Sequence, residues 1–171
     1  FSLKEYDPHC KSCPRLAGFL TEVQDRFPRY KCKPVPPFGV TRPDLLIVGL
    51  APGLHGANAT GRPFTGDHAG IMLFKTLHKF GFSSHSESLP GDNLALFKCR
   101  ITNAVKCLPP QNKPVASEVN TCRRFLKSEL GALPTGAVVI ALGKISHDSI
   151  VRAFELSVAK LSFGHGTEYE L

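Results

Sequence analysis

Four of the six cysteines in this 171-residue sequence are spaced as a soft-metal chelate requires. Cys10 and Cys13 have two residues between them, a short bite, and Cys107 and Cys122 form a second, wider pair. The segment from Phe1 to Cys10 has neither the basic nor the apolar stretch of a secretory signal, so reduced thiols are better read as ligands than as disulfides. Four thiolates suit tetrahedral zinc or a cubane iron–sulfur cluster, and spacing alone does not choose between them. The other two differ in kind. Cys99 falls among apolar residues, where a small buried thiol is the ordinary explanation, and Cys32 lies between Lys31 and Lys33; neither is assigned a role.

A second concentration of chemistry runs from Gly49 through Ala51-Pro52-Gly53-Leu54-His55-Gly56-Ala57-Asn58 to Thr60-Gly61-Arg62-Pro63-Phe64-Thr65-Gly66-Asp67. Its glycines allow close backbone approach to a ligand. It lacks the Gly-Lys-Ser/Thr ending of a phosphate loop and has no Gly-x-Gly-x-x-Gly in register, which weakens a nucleotide-binding reading. What remains is a long loop carrying one aromatic, one His, one Asn and one Asp, and long ordered loops are usually functional.

Such groups need a frame. Leu45–Leu50 and Ala137–Leu142 are apolar runs without strict alternation, as in parallel strands buried on both faces, and residues 98–105 supply a third strand. Pro34, Pro36, Pro37 and Pro43 hold the preceding segment extended. Asp67 can cap a helix with Gly70, Leu73, Phe74, Leu77 and Phe80 on its inner face, ended by Gly81. Ser117 can cap another, with Val119, Cys122, Phe125, Leu126 and Leu130 inward, and a third runs from Lys144 to Leu156 with His147, Ile150, Val151 and Phe154 on a stripe. Strands alternating with helices give one α/β domain, a doubly wound parallel sheet. Ligands in such sheets bind beyond the carboxyl ends of the strands, at the loops after Leu50, Val105 and Leu142.

Composition fits one globular domain: 42% hydrophobic and 20% charged residues can bury a core, and no apolar run is long enough to span a bilayer. Lys and Arg total 21 against 14 Asp and Glu, a net charge of +7 that leans towards an anionic partner. The loose basic clusters, Arg26 to Lys33 and Arg123 to Lys127, read singly as solvated faces.

Gly-x-Ala-Pro-Gly, Thr-Gly-Arg-Pro-Phe-Thr-Gly-Asp and the run Ile101-Thr102-Asn103-Ala104-Val105-Lys106-Cys107-Leu108-Pro109-Pro110-Gln111-Asn112-Lys113-Pro114 resemble the iron–sulfur uracil-DNA glycosylases. The His-Gly-x-Asn insert is similar to that of their family 5 branch, and the likeness extends from Cys10 to about Gly166. The resemblance implies a three-layer α/β/α sandwich on a four-stranded parallel sheet. It also implies a [4Fe-4S] cluster on Cys10, Cys13, Cys107 and Cys122, and a monomeric bacterial or archaeal repair enzyme. Such an enzyme works in the cytoplasm, hydrolyses the N-glycosidic bond of uracil and other deaminated bases in DNA, and has no membrane partner.

Reaching that bond in a duplex requires flipping the nucleotide out, stacking the base and reading its polar edge. On this reading Phe64 is the stacking platform and Asn103 recognises the amide edge of uracil, although an Asn at a strand end can equally be a plain polar residue. Backbone amides around Gly53 and Leu54 would receive the charge that develops on the base. Leu50 and Ala51 occupy the places where related enzymes hold an acid, so Asp67 is the nearest substitute, with Asn112 second. Asp67 is also an ordinary N-cap worth about 1 kcal/mol. His55 is a candidate donor to base or phosphate.

Two departures stand out. Ala59 replaces an Arg often found before Thr-Gly-Arg. The family's second motif, a His followed by a Pro/Ser-containing loop, has no counterpart before Leu171, and His165 lies upstream of its place. The expectation is that this sequence lacks its C-terminal end, either as an incomplete copy or as a protein without its final strand and much of its activity.

Overall fold

The computed structural model describes residues 5–171, so the reading of residues 1–4 as free of an export signal lies outside it. Among the described residues four strands form one sheet: β1 (Phe38–Gly39), β2 (Leu45–Gly49), β3 (Cys99–Asn103) and β4 (Val138–Ala141), in the spatial order β1-β3-β2-β4. The helices are α1 (Pro14–Arg26), α2 (Ala57–Thr60), α3 (His68–Lys79), α4 (Ala116–Gly131) and α5 (Lys144–Ala153).

Alternation along β2 builds the two halves of the core. Leu45 and Ile47 meet Cys99 and Ile101 of β3 and then Phe74 and Leu77 of α3. Leu46 and Val48 point the other way, onto Leu126 and Leu130 of α4 and Ile150 and Ala153 of α5. Helices thus cover both faces, giving the expected α/β/α sandwich. β2 pairs in parallel with β3 and with β4, and the register sets Gly49 beside Asn103 at the carboxyl ends.

Three expectations are corrected. The sheet is not wholly parallel: β1 runs antiparallel to β3, Phe38 opposite Ile101. Its two residues lie between Pro37 and Pro43, and proline confines such a segment to an edge. β4 is not buried on both faces. Val139 and Ala141 pack on the α4/α5 side, but Val138 and Ile140 are 57% and 42% exposed. Phe80 and Phe154, placed inward from periodicity, are exposed because each lies one residue past the helix that would have turned it in.

Local sequence explains the helix ends. Asp67 Oδ1 accepts the Gly70 N–H at 3.1 Å, the expected N-cap of α3, and Gly81, with φ of 79°, follows its end. Ser117 does not cap α4. That helix starts one residue earlier, and the Glu118 carboxylate reaches back to accept the Val115 N–H at 2.9 Å. α1 went unread in the sequence, yet Pro14 sits in its first turn and Leu16, Leu20 and Val23 form its buried stripe. A third apolar cluster joins Leu20 and Val23 to Cys32 and Leu108, with Cys107 and Leu54 packed against it. No helix among the described residues is long and apolar enough to cross a membrane.

Candidate functional site

The fold brings the four predicted cysteines to one cavity. Cys10 and Cys13 stand in the turn that opens α1, Cys107 in the loop after β3 and Cys122 in α4, and all four line a pocket with Leu16, Phe125 and Arg124. Donors already address the sulfurs. The Lys106 N–H donates to Cys122 Sγ at 3.3 Å, and the Arg124 guanidinium donates to Ser12 Oγ at 2.8 Å and to Cys10 Sγ at 3.5 Å.

Charge in this cavity is unfavourable for thiolates alone. Burial pushes the Cys107 thiol well up, and negative charge on Cys122, Cys10 and Cys13 pushes it further. Burial likewise raises Cys122, against the opposing pull of Lys106, and raises Cys13, where Glu118 and Cys10 add to it. Four sulfurs that repel one another as thiolates call for a cation between them. Among the described residues no group of three or more His, Cys, Asp or Glu is arranged to hold a single metal ion. Cys99 behaves as expected of a core thiol: it is fully buried, and burial lifts its pKa to about 12.

A second site forms where β2 and β3 end. Asn103 is 4% exposed, and its Oδ1 has no hydrogen-bond partner among the described residues. A Cβ placed on Gly49 would stand 2.5 Å from that oxygen and 2.6 Å from Phe64 Cζ, so amide and phenyl edge converge on one point. Glycine is required there because any side chain would fill the space both groups face. Phe64 holds a left-handed φ of 55°, which an aromatic residue adopts only where its surroundings impose it. The imposition is visible. A Cβ on Gly70 would lie 1.8 Å from the Phe64 carbonyl oxygen, so the first turn of α3 is pressed against the loop. Thr60 Oγ1 donates to the Thr65 carbonyl at 3.0 Å, and Thr65 Oγ1 shares a 2.7 Å hydrogen bond with Ser88 Oγ.

Arg62 braces the same loop from outside. Its guanidinium lies over Phe38 at 4.6 Å and binds Asp92 at 2.6 Å and Ser88 Oγ at 3.0 Å. Burial opposes charge on Asp92, yet Arg62 and the N–H groups of Leu89 and Leu94 hold its carboxyl below the usual carboxylate range. A carboxyl depressed in the folded state contributes stability above its unfolded pKa, near 3.9, and that contribution fades as pH falls through the folded value. Thermal melts between pH 6 and pH 3 should therefore lose stability below about pH 4, and Asp92→Asn should flatten that slope. An unchanged slope would detach Asp92 from the brace.

The other predicted residues divide. One Asp67 oxygen caps α3, and the other faces the glycine turn: a Cβ on Gly56 would lie 2.3 Å from Oδ2, and one on Gly53 3.4 Å. Asp67→Ser should keep the cap and the melting temperature but lower any activity about tenfold, for roughly 1.4 kcal/mol of charge stabilisation in a partly exposed site. Equal activity in that variant would reduce Asp67 to a cap. The Gly53 carbonyl accepts from the Gly56 and Asn58 amides, and Leu54 and Cys107 both pack against the Leu20–Val23–Cys32–Leu108 cluster, so this turn and the cysteine cavity share one apolar cluster. His55 is exposed, with Nδ1 2.7 Å from Tyr30 Oη and Phe27 at its edge. Asn112 stands in a tight, exposed left-handed turn, and no contact between it and Phe64 or Asn103 appears among the described residues. Sequence reasoning missed Gly49, whose signal was the opening glycine of Gly-x-Ala-Pro-Gly, and Tyr30, which lies too far along the chain to give one.

Comparison with known proteins meets this geometry from outside. The model of a family described as the uracil DNA glycosylase superfamily matches residues 36–168. A type-5 uracil-DNA glycosylase of Thermus thermophilus is 44% identical over 95% of this chain and 76% of its own length. One from Pyrobaculum aerophilum is 40% identical over 92% and 71%, and a type-4 uracil-DNA glycosylase from the same organism is 32% identical over 98% and 72%.

Proposed function

The chain belongs to the uracil DNA glycosylase superfamily, among its type-5 members, and from that premise we propose that it excises uracil and other deaminated bases from DNA. The observation that carries this reading is the buried Asn103 Oδ1, without a hydrogen-bond partner among the described residues, converging with the Phe64 ring at Gly49. A buried acceptor without a donor is costly unless a ligand completes it.

Uracil presents an N–H at N3 between two carbonyls. With Oδ1 accepting from N3–H and Nδ2 donating to O4, one Asn103 amide reads that edge. Cytosine offers a lone pair at N3 and an amino group at C4, so the same amide orientation rejects it. Phe64 supports the flipped ring. Cleavage breaks the C1′–N1 bond, and its electron pair leaves with the base as a uracil anion. Water then supplies the new C1′–O bond and gives up a proton. Asp67 Oδ2, beside the Gly53–Gly56 turn, is the carboxylate that steadies the positive sugar and orients that water, with Asn112 and His55 as further polar groups at the loop ends. Backbone amides at Gly53 and Leu54 would stabilise charge on the departing base.

The four thiols suit a [4Fe-4S] cluster: all-sulfur donors, a shared cavity and mutual repulsion that a polynuclear iron centre relieves. Cys10, Cys13, Cys107 and Cys122 would hold it, and when bound it supplies a rigid four-point tie between the start of α1, the loop after β3 and α4. The chain's own contribution is to aim Lys106 and Arg124 donors at the sulfurs and to pack Leu54 and Cys107 on one apolar cluster. The bacterial and archaeal sources of the relatives support a bacterial or archaeal protein, and its form is proposed as a monomer in the cytoplasm.

The test is incubation with uracil-containing duplex followed by alkali. Breaks at uracil, and none at cytosine, are expected. Tight binding of the duplex without breaks would favour a non-catalytic DNA-binding protein instead.

A further inference from the structure

Lys106 separates Asn103 from Cys107, and its side chain is 2% exposed. A buried ammonium persists only where its protons find acceptors. Here all three do: Glu129 Oε2 at 2.6 Å, the Asn103 carbonyl oxygen at 3.0 Å and the Thr102 hydroxyl. Glu129 is itself 3% exposed, so the pair is locked between α4 and the polar face of β3. The Lys106 backbone is equally held. Its N–H is on Cys122 Sγ, and its carbonyl accepts the Val35 N–H at 2.7 Å. The Asn103 Oδ1, by contrast, has no hydrogen-bond partner among the described residues. Lys106 reaches Asn103 at its backbone carbonyl.

We propose that Lys106 is a positioning residue for base recognition: its ammonium clamps the Asn103 carbonyl and thereby fixes the Asn103 side-chain amide in the one orientation that matches uracil. The proposal rests on the reading of Asn103 as the base reader. A freed amide can turn over and present Nδ2 where Oδ1 stood, which loses the N3–H acceptor and relaxes the bias against cytosine.

Lys106→Met alone would leave the Glu129 carboxylate with only the Arg100 guanidinium, 3.9 Å away, so the test uses Lys106→Met with Glu129→Gln, which removes both charges, keeps a polar partner for Thr102 and leaves Arg100 its 3.3 Å pair with Glu5. The paired change is made in the parent protein and in an Asn103→Ala background, and each is assayed on uracil-containing duplex alongside iron content and urea unfolding. A clamp acting through Asn103 lowers kcat/KM about tenfold in the parent and less than about twofold once Asn103 is gone, with iron content unchanged. An equal loss in both backgrounds, no loss in the parent, or loss of iron together with activity would overturn it, the last by making Lys106 a prop of the fold. Full activity in Asn103→Ala alone would show instead that the base-reading assignment has failed, and the clamp with it.

Discussion

With Cys107 a ligand of the proposed [4Fe-4S] cluster, Cys107→Ser is expected to purify without brown colour and with a melting temperature lowered by on the order of 10 °C or more. Cys107 is the thiol on which the other three press their charge, and with Leu54 it packs against the cluster of Leu20, Val23, Cys32 and Leu108 that joins α1 to the loop after β3. Losing it removes a corner of the tie among three segments far apart in the chain. Cys99→Ala is the control. That thiol is fully buried under α3 and apart from the cavity, so its loss should cost stability through a small void while the proposed cluster's colour remains. Visible absorbance and calorimetry of the two variants decide the matter. A coloured Cys107→Ser protein, or a colourless Cys99→Ala protein, would reassign the ligands.

Phe64→Ala is expected to lower kcat/KM on uracil-containing DNA about 100-fold while leaving the iron absorbance intact. Stacking of a base on an aromatic ring is worth about 1–3 kcal/mol, and a flipped base in this pocket has Phe64 as its wall. Alanine shares the left-handed penalty at φ of 55°, so the substitution leaves the backbone strain unchanged. Phe64 is only partly buried against the α3 side of the core, so the loss of stability should be modest. Simultaneous loss of absorbance and activity would mean that Phe64 is a core residue and that the pocket lies elsewhere.

The sequence was most readable where one segment carries its own signal. Leu45–Gly49 and Val138–Ala141 emerged from apolar runs, Cys99–Asn103 lies within the third strand read over residues 98–105, and the Asp67 cap came from a single residue followed by a helical stripe. Val138 and Ile140 show the limit of that signal, because an edge strand and a central strand have the same composition when only one face is covered. The antiparallel β1 was hidden among prolines, and two residues give no periodicity. Cys10, Cys13, Cys107 and Cys122 were legible as a set, since thiols are few and the motifs around them are distinctive. Their gathering in one cavity could be expected, but the Arg124 and Lys106 donors around them could not. Asn103 and Phe64 were placed from their motifs, whereas Gly49, Tyr30 and the Lys106–Glu129 pair depend on contacts across 15 or more residues of sequence. Long-range pairing of that kind leaves no local trace.

The central claim is that a flipped uracil lies on Phe64 with its edge on the Asn103 amide. A structure of the protein bound to a duplex carrying 2′-fluorinated deoxyuridine, whose glycosidic bond resists cleavage, tests it most directly. The expected result is a base stacked on Phe64, with N3 about 3 Å from Asn103 Oδ1 and O4 about 3 Å from Nδ2. A uracil left in the helix, or extruded into a pocket that Asn103 does not line, would contradict the claim.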